Sequence, residues 1–288
     1  TLRGGTIAGN SAAGNGGALF TEGGVLEIDG GEITGNTAAA GGGLYNATGV
    51  LTLTNSYLFT NTATDGGALH IADGAAQLAN LVLGGNTATT GAALSSGGST
   101  QLLQSTVASP AVGGGAAIYV AGGTANITST IIASYTTGIQ QAGGAATADY
   151  NLFFGNSTNK SGVIGGGAND VIGDPRFVDP AAGDYRILSG SAALAAGQEI
   201  GVQTDILGLG RGAPTTVGAY EKPAIDPGND AYLIDLTLRN AVLNHRFAPT
   251  MFDYTASVPN RVESTVVTPT ASAAGASITV NGSPVGSG

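Results

Sequence analysis

The chain has 288 residues, 50 of them glycine, with no cysteine, 10% charged residues and a formal net charge of −10. The absence of cysteine excludes disulfide frameworks, thiol catalysis and zinc–thiolate sites. The acidic balance argues against a basic groove for nucleic acid or anionic lipid. No stretch approaches the roughly 18–20 apolar residues that cross a bilayer. With 42% hydrophobic residues and only ten prolines, the glycine excess indicates neither collagen nor a disordered linker, so a regular structure must use it.

Two motifs repeat in phase along the first half of the chain. A Gly-Gly-Ala-Leu motif ends on an apolar residue every 24 or 25 positions, and an apolar-x-x-Asn motif steps by 25 or 26. Two motifs that keep one period indicate stacked repeats. The final apolar residues are Leu19, Leu44, Leu69, Leu94 and Ile118, and the asparagines are Asn10, Asn36, Asn61 and Asn86.

Short apolar runs of period two lie between these motifs, as where residues 25–29 align with 50–54. Such runs predict strands with one buried face. Three strands and three turns in about 25 residues form one coil of a right-handed parallel β-helix, with coils about 4.8 Å apart. We expect glycine corners with positive φ, and left-handed asparagines whose amides hydrogen-bond from coil to coil. Besides the stack of Leu19 to Ile118, the predicted internal stacks are Ile28, Leu53 and Leu78, and Ile33, Leu58, Leu83 and Val107.

The paired GGA[I/L] and [F/I/L]xxN motifs resemble the polymorphic outer-membrane protein repeat of bacterial surface and autotransported proteins, a β-helix family. The resemblance covers roughly residues 1–156 and implies an exported bacterial protein at the cell surface. Pro110 and Tyr135 stand where the repeat has its asparagine. We therefore expect less regular coils at these two positions.

Residues 149–221 contain three arginines, against one in the coils before them, and a higher proportion of aromatic residues. The runs that begin at Asp149, Gly173, Gly183 and Val217 resemble the C-terminal segment of choice-of-anchor β-helix domains of bacterial surface proteins. We expect this segment to cap the unpaired strand edges at the end of the β-helix. The residues expected to pair or to cap turns are Asp174, Arg176, Asp179, Asp184 and Arg186.

The domains predicted are a β-helix over 1–221, with 149–221 as its capping segment, a linker over 222–230 and an incomplete β-sandwich over 231–288. The Tyr-Thr-Ala-x-Val-Pro and Val-Thr-Pro-Thr-Ala phrases resemble a bacterial cadherin-like repeat. About four strands fall short of the roughly seven of a complete sandwich. The predicted fold class is all-β, a right-handed parallel β-helix followed by a partial Ig/cadherin-like β-sandwich.

Candidate catalytic residues are sparse. Residues 1–159 carry a single basic residue, Arg3, and among the acidic residues only Glu27, Asp29 and Glu32 cluster, without acidic partners in the next coil. His70 and His245 fall in different domains, which leaves no Ser-His-Asp arrangement. We therefore predict no catalytic residue and no cofactor. Weak calcium candidates are the loop 165–170 and the group Asp226, Asp230 and Asp235 near the domain junction.

Three functions stay open. The leading hypothesis is a non-catalytic, extracellular bacterial surface protein, structural or adhesin-like, in which a β-helix stalk bears a cadherin-like module. The first alternative is a self-assembling filament or sheath subunit completed by strands from neighbouring chains. The second is a polysaccharide lyase or hydrolase. Expected partners are copies of the chain, other cell-surface proteins and glycans, with no nucleic acid and no membrane-spanning segment. Because Thr1 opens within the repeat, we interpret the sequence as a processed chain or a fragment.

Overall fold

Nineteen strands between Leu2 and Ile172 form one sheet, in which each strand pairs in parallel with strands about one repeat away. The computed structural model describes residues 1–222, 233–244, 247, 254–271 and 276–287. The sheet winds into a β-solenoid with three faces, and the predicted all-β solenoid is confirmed. We call the face that starts at Leu2–Arg3 face A, the face that starts at Thr6–Ala8 face B, and the face that starts at Leu19–Thr21 face C.

The longer strands turn a corner and contribute to two faces. The nineteen strands are β1 (Leu2–Arg3), β2 (Thr6–Ala8), β3 (Leu19–Thr21), β4 (Val25–Thr34), β5 (Leu44–Asn46), β6 (Val50–Phe59), β7 (Leu69–Ile71), β8 (Ala75–Ala79), β9 (Val82–Gly84), β10 (Leu94–Ser96), β11 (Ser99–Leu103), β12 (Thr106–Val120), β13 (Thr124–Thr128), β14 (Ile131–Gln141), β15 (Ala145–Asp149), β16 (Leu152–Phe154), β17 (Thr158–Ser161), β18 (Ile164–Gly165) and β19 (Val171–Ile172).

The apolar residues of the repeat stack in register inside the solenoid. Because side chains alternate along a strand, every second residue of each face points into this interior. Most of these residues are fully buried, and truncating such a residue to alanine typically costs about 2–5 kcal/mol. The structure places Leu19, Leu44, Leu69, Leu94 and Ile118 in one column on face C, Ile28, Leu53 and Leu78 in one on face A, and Ile33, Leu58, Leu83 and Val107 in one on face B.

The asparagines form a hydrogen-bonded ladder that runs from turn to turn. The Oδ1 atom of Asn36 accepts from the backbone N–H and the Nδ2 of Asn10, at 2.9 and 3.0 Å, and the same pair of bonds joins Asn36 to Asn61. The Nδ2 of Asn61 donates to Asn86 Oδ1 and to the backbone oxygen of Ile33. Asn36, Asn61 and Asn86 are at most 1% exposed, so these bonds satisfy amides that have no access to water.

The prediction that the ladder asparagines adopt the left-handed conformation was wrong. The positive φ belongs to the residue just before the asparagine, Gly35 at +63° or Thr60 at +52°. That residue turns the chain, and the asparagine after it directs its amide inward to the backbone of the neighbouring turn. Left-handed asparagines do occur, but at the corner between faces A and B, where φ is +52° at Asn55 and +55° at Asn80.

Glycine recurs before face C because successive turns approach each other closely there. A Cβ on Gly42 would collide with the backbone oxygen of Gly67 in the next turn, and a Cβ on Gly67 would collide with that of Ala92. The turns at these positions are therefore in contact through backbone atoms.

The turns become shorter towards the end of the solenoid. Leu83 on face B and Leu94 on face C are eleven positions apart, whereas the corresponding Ile132 and Ile139 are only seven apart. The change follows a register shift in the pairing of β12 with β14, next to Pro110, where reduced regularity was expected. Proline cannot donate to the ladder, and the shift accommodates it.

Residues 173–222, which we call the side segment, pack along the side of the solenoid. Tyr185, Ile187 and Val217 are buried against outward-facing residues of face B such as Val82 and Ile131. We expected residues 149–221 to cover the end of the coils; in the structure, residues 149–172 belong to the last turns of the solenoid, and only residues 173–222 leave it, along its side. Its regular elements are β20 (Phe177–Asp179), a 3₁₀ helix (Pro180–Ala182) and β21 (Asp184–Ile187).

The local roles expected for the polar residues of the side segment do occur. Asp174 accepts from the backbone N–H of Arg176, and Asp179 caps the 3₁₀ helix by accepting from two backbone N–H groups. Asp184 pairs with Arg186. These contacts fix turns within the segment and leave the end of the solenoid to other residues.

A lysine closes the C-terminal end of the solenoid core. Lys160 takes the register position of the buried Ile139 in the preceding turn. Its Nζ forms an ion pair with Asp170, donates to the backbone oxygen of Ala148 at 3.1 Å, and lies 5.7 Å from the ring centre of Phe153. An inward-pointing charge discourages further strands from adding to a sheet.

Beyond the solenoid, the described strands pair in antiparallel fashion. β22 pairs with β25, β23 with β24, and β26 with β27. This change from parallel to antiparallel pairing agrees with the predicted sandwich-type region. The strands are β22 (Leu233–Leu238), β23 (Val242–Leu243), β24 (Ala256–Ser257), β25 (Val267–Ala271), β26 (Ile278–Val280) and β27 (Ser283–Val285).

Candidate functional site

A polar cleft of about 500 Å³ lies where the side segment meets face A, and we call it the face A cleft. Its floor comes from consecutive turns, because Asp29 lies between Arg3 and Thr54 in the parallel register, and Glu27 lies beside Thr52. The full lining is Thr1, Arg3, Glu27, Ile28, Asp29, Thr52, Thr54, Asn55, Ala79, Asn80, Val202 and Thr204.

The two carboxylates of the cleft are held by hydrogen bonds that use only part of their capacity. Asp29 Oδ1 accepts from Thr54 Oγ1 at 3.0 Å and from Asn55 Nδ2 at 2.7 Å. Glu27 Oε2 accepts from Thr1 Oγ1 at 2.9 Å. An ionised carboxylate can accept about four hydrogen bonds. Asp29 and Glu27 are therefore oriented by the protein and retain acceptor capacity towards the cleft.

The structure divides the acidic cluster that the sequence predicted. Glu27 and Asp29 lie together on face A, but the left-handed Gly30 and Gly31 turn the chain between them and Glu32. Glu32 then pairs along face B with Thr6 and Tyr57. Only two of the three candidate carboxylates therefore share a site.

The outer wall of the cleft is fixed by contacts between residues far apart in sequence. Asn80 Nδ2 donates to the backbone oxygen of Thr204 at 2.7 Å and to Asn55 Oδ1 at 3.1 Å. Arg211 Nη2 in turn donates to Asn80 Oδ1 at 2.7 Å. The separations of 124 and 131 residues explain why sequence reasoning missed this wall, since no local pattern marks it.

Arg211 is the centre of a buried charge network behind that wall. Its side chain is 2% exposed, and its Nη1 lies 3.2 Å from Glu221 Oε2. Asp205, 1% exposed, accepts from the backbone N–H groups of Leu207, Leu209 and Glu221. Burial lowers the pKa of Arg211 and raises that of Asp205. The network holds the end of the side segment against the solenoid.

A second polar group on face C contains a histidine between aromatic and acidic neighbours. His70 Nδ1 lies 3.3 Å from Asp65 Oδ2, and the His70 ring stacks on Tyr45 with 4.8 Å between ring centres. Thr90 Oγ1 donates to Asp65 Oδ1 at 2.7 Å. Burial raises the pKa of Asp65, but the hydrogen bonds from His70 and Thr90 and the charge of His70 outweigh it and lower the pKa to about 2.

This group places a serine beside the histidine and aspartate, which sequence reasoning did not foresee. Ser95 lies next to His70 in the register of face C. Its hydroxyl oxygen is buried, and the residue is 1% exposed. A nucleophilic serine must reach the substrate. The hydroxyl of Ser95 is inside the wall of the solenoid, so the trio serves the packing of successive turns.

The calcium candidates have different outcomes. Asp226, Asp230 and His245 lie outside the described residues, and Asp235 is exposed in β22, where it accepts from the N–H of Leu236. In the loop 165–170, Asp149 accepts from the N–H groups of Gly167 and Asn169, and Asp170 pairs with Lys160. Over the described ranges, no group of three or more His, Cys, Asp or Glu side chains is placed to hold a metal ion.

Residues 233–288 match a family model described as cadherin-like beta sandwich domain. The fold and this match together define the class of the protein: an all-β chain in which a parallel β-solenoid precedes a cadherin-like module. No curated protein and no solved structure is significantly similar to the chain. None of the helical segments in the described part of the chain is long and apolar enough to span a membrane.

Proposed function

We propose that this protein is a non-catalytic, extracellular protein of a bacterial cell surface, in which the solenoid is a stalk and the cadherin-like module takes part in adhesion. The observation that carries the proposal is the presence of both parts in one chain, a solenoid of in-register turns and a cadherin-like match at 233–288. A solenoid extends by stacking turns about 4.8 Å apart, which suits a rigid spacer.

Two features of the polar groups support a non-catalytic role. The Ser95 hydroxyl oxygen is buried beside His70 and has no access to solvent. The pKa of Asp65 is lowered to about 2, which makes its carboxylate a weak base at neutral pH. Asp65 joins two successive turns through its hydrogen bond with Thr90, and its contact with His70 lies within one turn.

Surface localisation is the decisive test. In intact cells that produce the protein, we expect an antibody against the solenoid to label the outer surface, and added protease to remove the label without lysis. A cytoplasmic protein must stay intact during the same treatment and serves as the control. Labelling only after the cells are permeabilised would refute the proposal.

A further inference from the structure

The face A cleft presents both hydrogen-bond donors and hydrogen-bond acceptors to the solvent. In the part of the chain that the structure describes, Asp29 Oδ2 and Glu27 Oε1 accept no hydrogen bond, and the exposed Arg3 forms no ion pair. Thr52 adds a hydroxyl group that can donate or accept. A ligand with many hydroxyl groups could use all of these atoms, since each hydroxyl donates one hydrogen bond and accepts others.

The volume and the lining of the cleft suit one unit of a longer sugar chain. Its volume of about 500 Å³ lies within the range of small-ligand sites. Ala79 and Val202 supply apolar contact between the polar groups, as the C–H faces of a sugar ring require. The wall that contains Val202 is fixed through Thr204 and Asn80, so the cleft is formed before a ligand binds.

A polar column continues from the cleft along face A. Each member lies beside the next in the parallel register, so hydrogen-bonding side chains recur at every turn, about 4.8 Å apart. This periodic arrangement favours a linear ligand that lies along the solenoid axis over a single sugar. The column consists of Glu27, Thr52, Gln77, Gln101, Asn126 and Thr147.

Charge restricts the class of sugar. The cleft contains two carboxylates and one guanidinium, in a chain of net charge −10. A glycan that carries carboxylates or sulfates would be repelled by this field, whereas a neutral or amino-bearing glycan would not.

We propose that the face A cleft and its polar column bind a linear oligosaccharide that lacks acidic groups. The inference deepens the proposed function by naming a ligand class for the solenoid. Asp29 and Glu27 accept hydrogen bonds from sugar hydroxyl or ammonium groups, Arg3 donates to ring or hydroxyl oxygens, and the column aligns the following units.

Calorimetric titration of the purified full chain tests the proposal with three hexasaccharides: a β-1,4-glucose hexamer, a glucosamine hexamer and a galacturonate hexamer. We expect the neutral or the amino-bearing hexamer to bind more tightly than its own monomer, and the galacturonate hexamer not to bind. Asp29→Asn removes the charge while keeping the size of the side chain, and should weaken binding about tenfold through the loss of a charge-assisted hydrogen bond.

Val202→Trp provides an independent variant, because a bulky ring in the wall fills the cleft without changing its carboxylates. We expect it to abolish binding, whereas Glu22→Gln, an exposed acid outside the cleft, should leave the affinity unchanged. Matching thermal unfolding curves show that the variants are folded.

The proposal is overturned if neither non-acidic hexamer binds, if both cleft variants bind normally, or if the galacturonate hexamer binds best. Surface labelling is a separate measurement, so failure of the proposed function would not be confused with failure of this one.

Discussion

Asn61 shows how one side chain can join three turns of the solenoid. Its amide accepts from the backbone and side chain of Asn36 and donates to Asn86 and to the backbone oxygen of Ile33. Because the residue is fully buried, water cannot replace these bonds if the amide is lost. The ladder therefore contributes to stability mainly by preventing unsatisfied polar groups inside the solenoid.

We predict that Asn61→Ala lowers the free energy of unfolding by about 3 kcal/mol, since it leaves the backbone groups of Asn36 and Ile33 without partners. Urea denaturation followed by circular dichroism measures the change. The control is Asn15→Ala, which removes an exposed asparagine of the same first turns and should change stability by less than about 0.5 kcal/mol. Equal effects of the two substitutions would show that the ladder has no special role.

Asp65 makes the stability of the solenoid depend on pH in the acidic range. Its pKa is about 2 in the folded protein and near 3.8 in the unfolded chain. Because the folded value is the lower one, the stabilisation is complete above pH 3.8 and is lost as the pH falls towards 2. We expect the difference in Tm between the unsubstituted protein and Asp65→Asn to shrink between pH 5 and pH 2. Glu22→Gln, which changes an exposed acid, should show a smaller effect, and a constant difference for Asp65→Asn would contradict the assignment.

At the scale of elements, the side segment depends on its buried arginine. Arg211→Met leaves Glu221 and Asp205 buried without their cation, which typically costs about 3–5 kcal/mol when one partner of a buried pair is removed. We predict faster amide hydrogen exchange over residues 198–221, with the face C strands β5, β7 and β10 unchanged. Lys222→Met, which removes an exposed cation at the end of the same segment, should retain the original exchange pattern. Uniform loss of protection throughout the solenoid would show that the segment and the coils unfold together.

The lysine at the end of the core is expected to limit self-association. The double substitution Lys160→Met with Asp170→Asn replaces the ion pair by uncharged groups, beside Ile172 and Val163, which are 80% and 85% exposed. The end of the solenoid then becomes apolar next to unpaired strands, which favours the addition of further strands. We predict a larger mass in sedimentation velocity at high protein concentration than for the unsubstituted chain. Lys160→Arg, which keeps the charge, should behave like the unsubstituted chain, and no difference for the double variant would refute the role.

At the scale of the whole molecule, the periodic part of the structure was the predictable part. The stacks of Leu44, Leu69 and Leu94 follow directly from a repeat of 25 residues, because parallel register converts a sequence period into contact. The shortened turns were not predictable in this way, since the loss of four residues between faces B and C conceals the alignment of Lys160 with Ile139. The position of the side segment was hidden for another reason: its contacts, such as Arg211 with Asn80, join residues more than a hundred positions apart.

The path of the side segment also decides where mechanical load would enter the solenoid. Near its end, Gly218 donates to the backbone oxygen of Ser129 and Ala219 to Thr106 Oγ1, both on the flank of the coils. Tension applied at residue 222 would therefore reach the solenoid through its side and load several buried hydrogen bonds together. The final strand β19 would not be peeled away one bond at a time, so the chain resists pulling in shear.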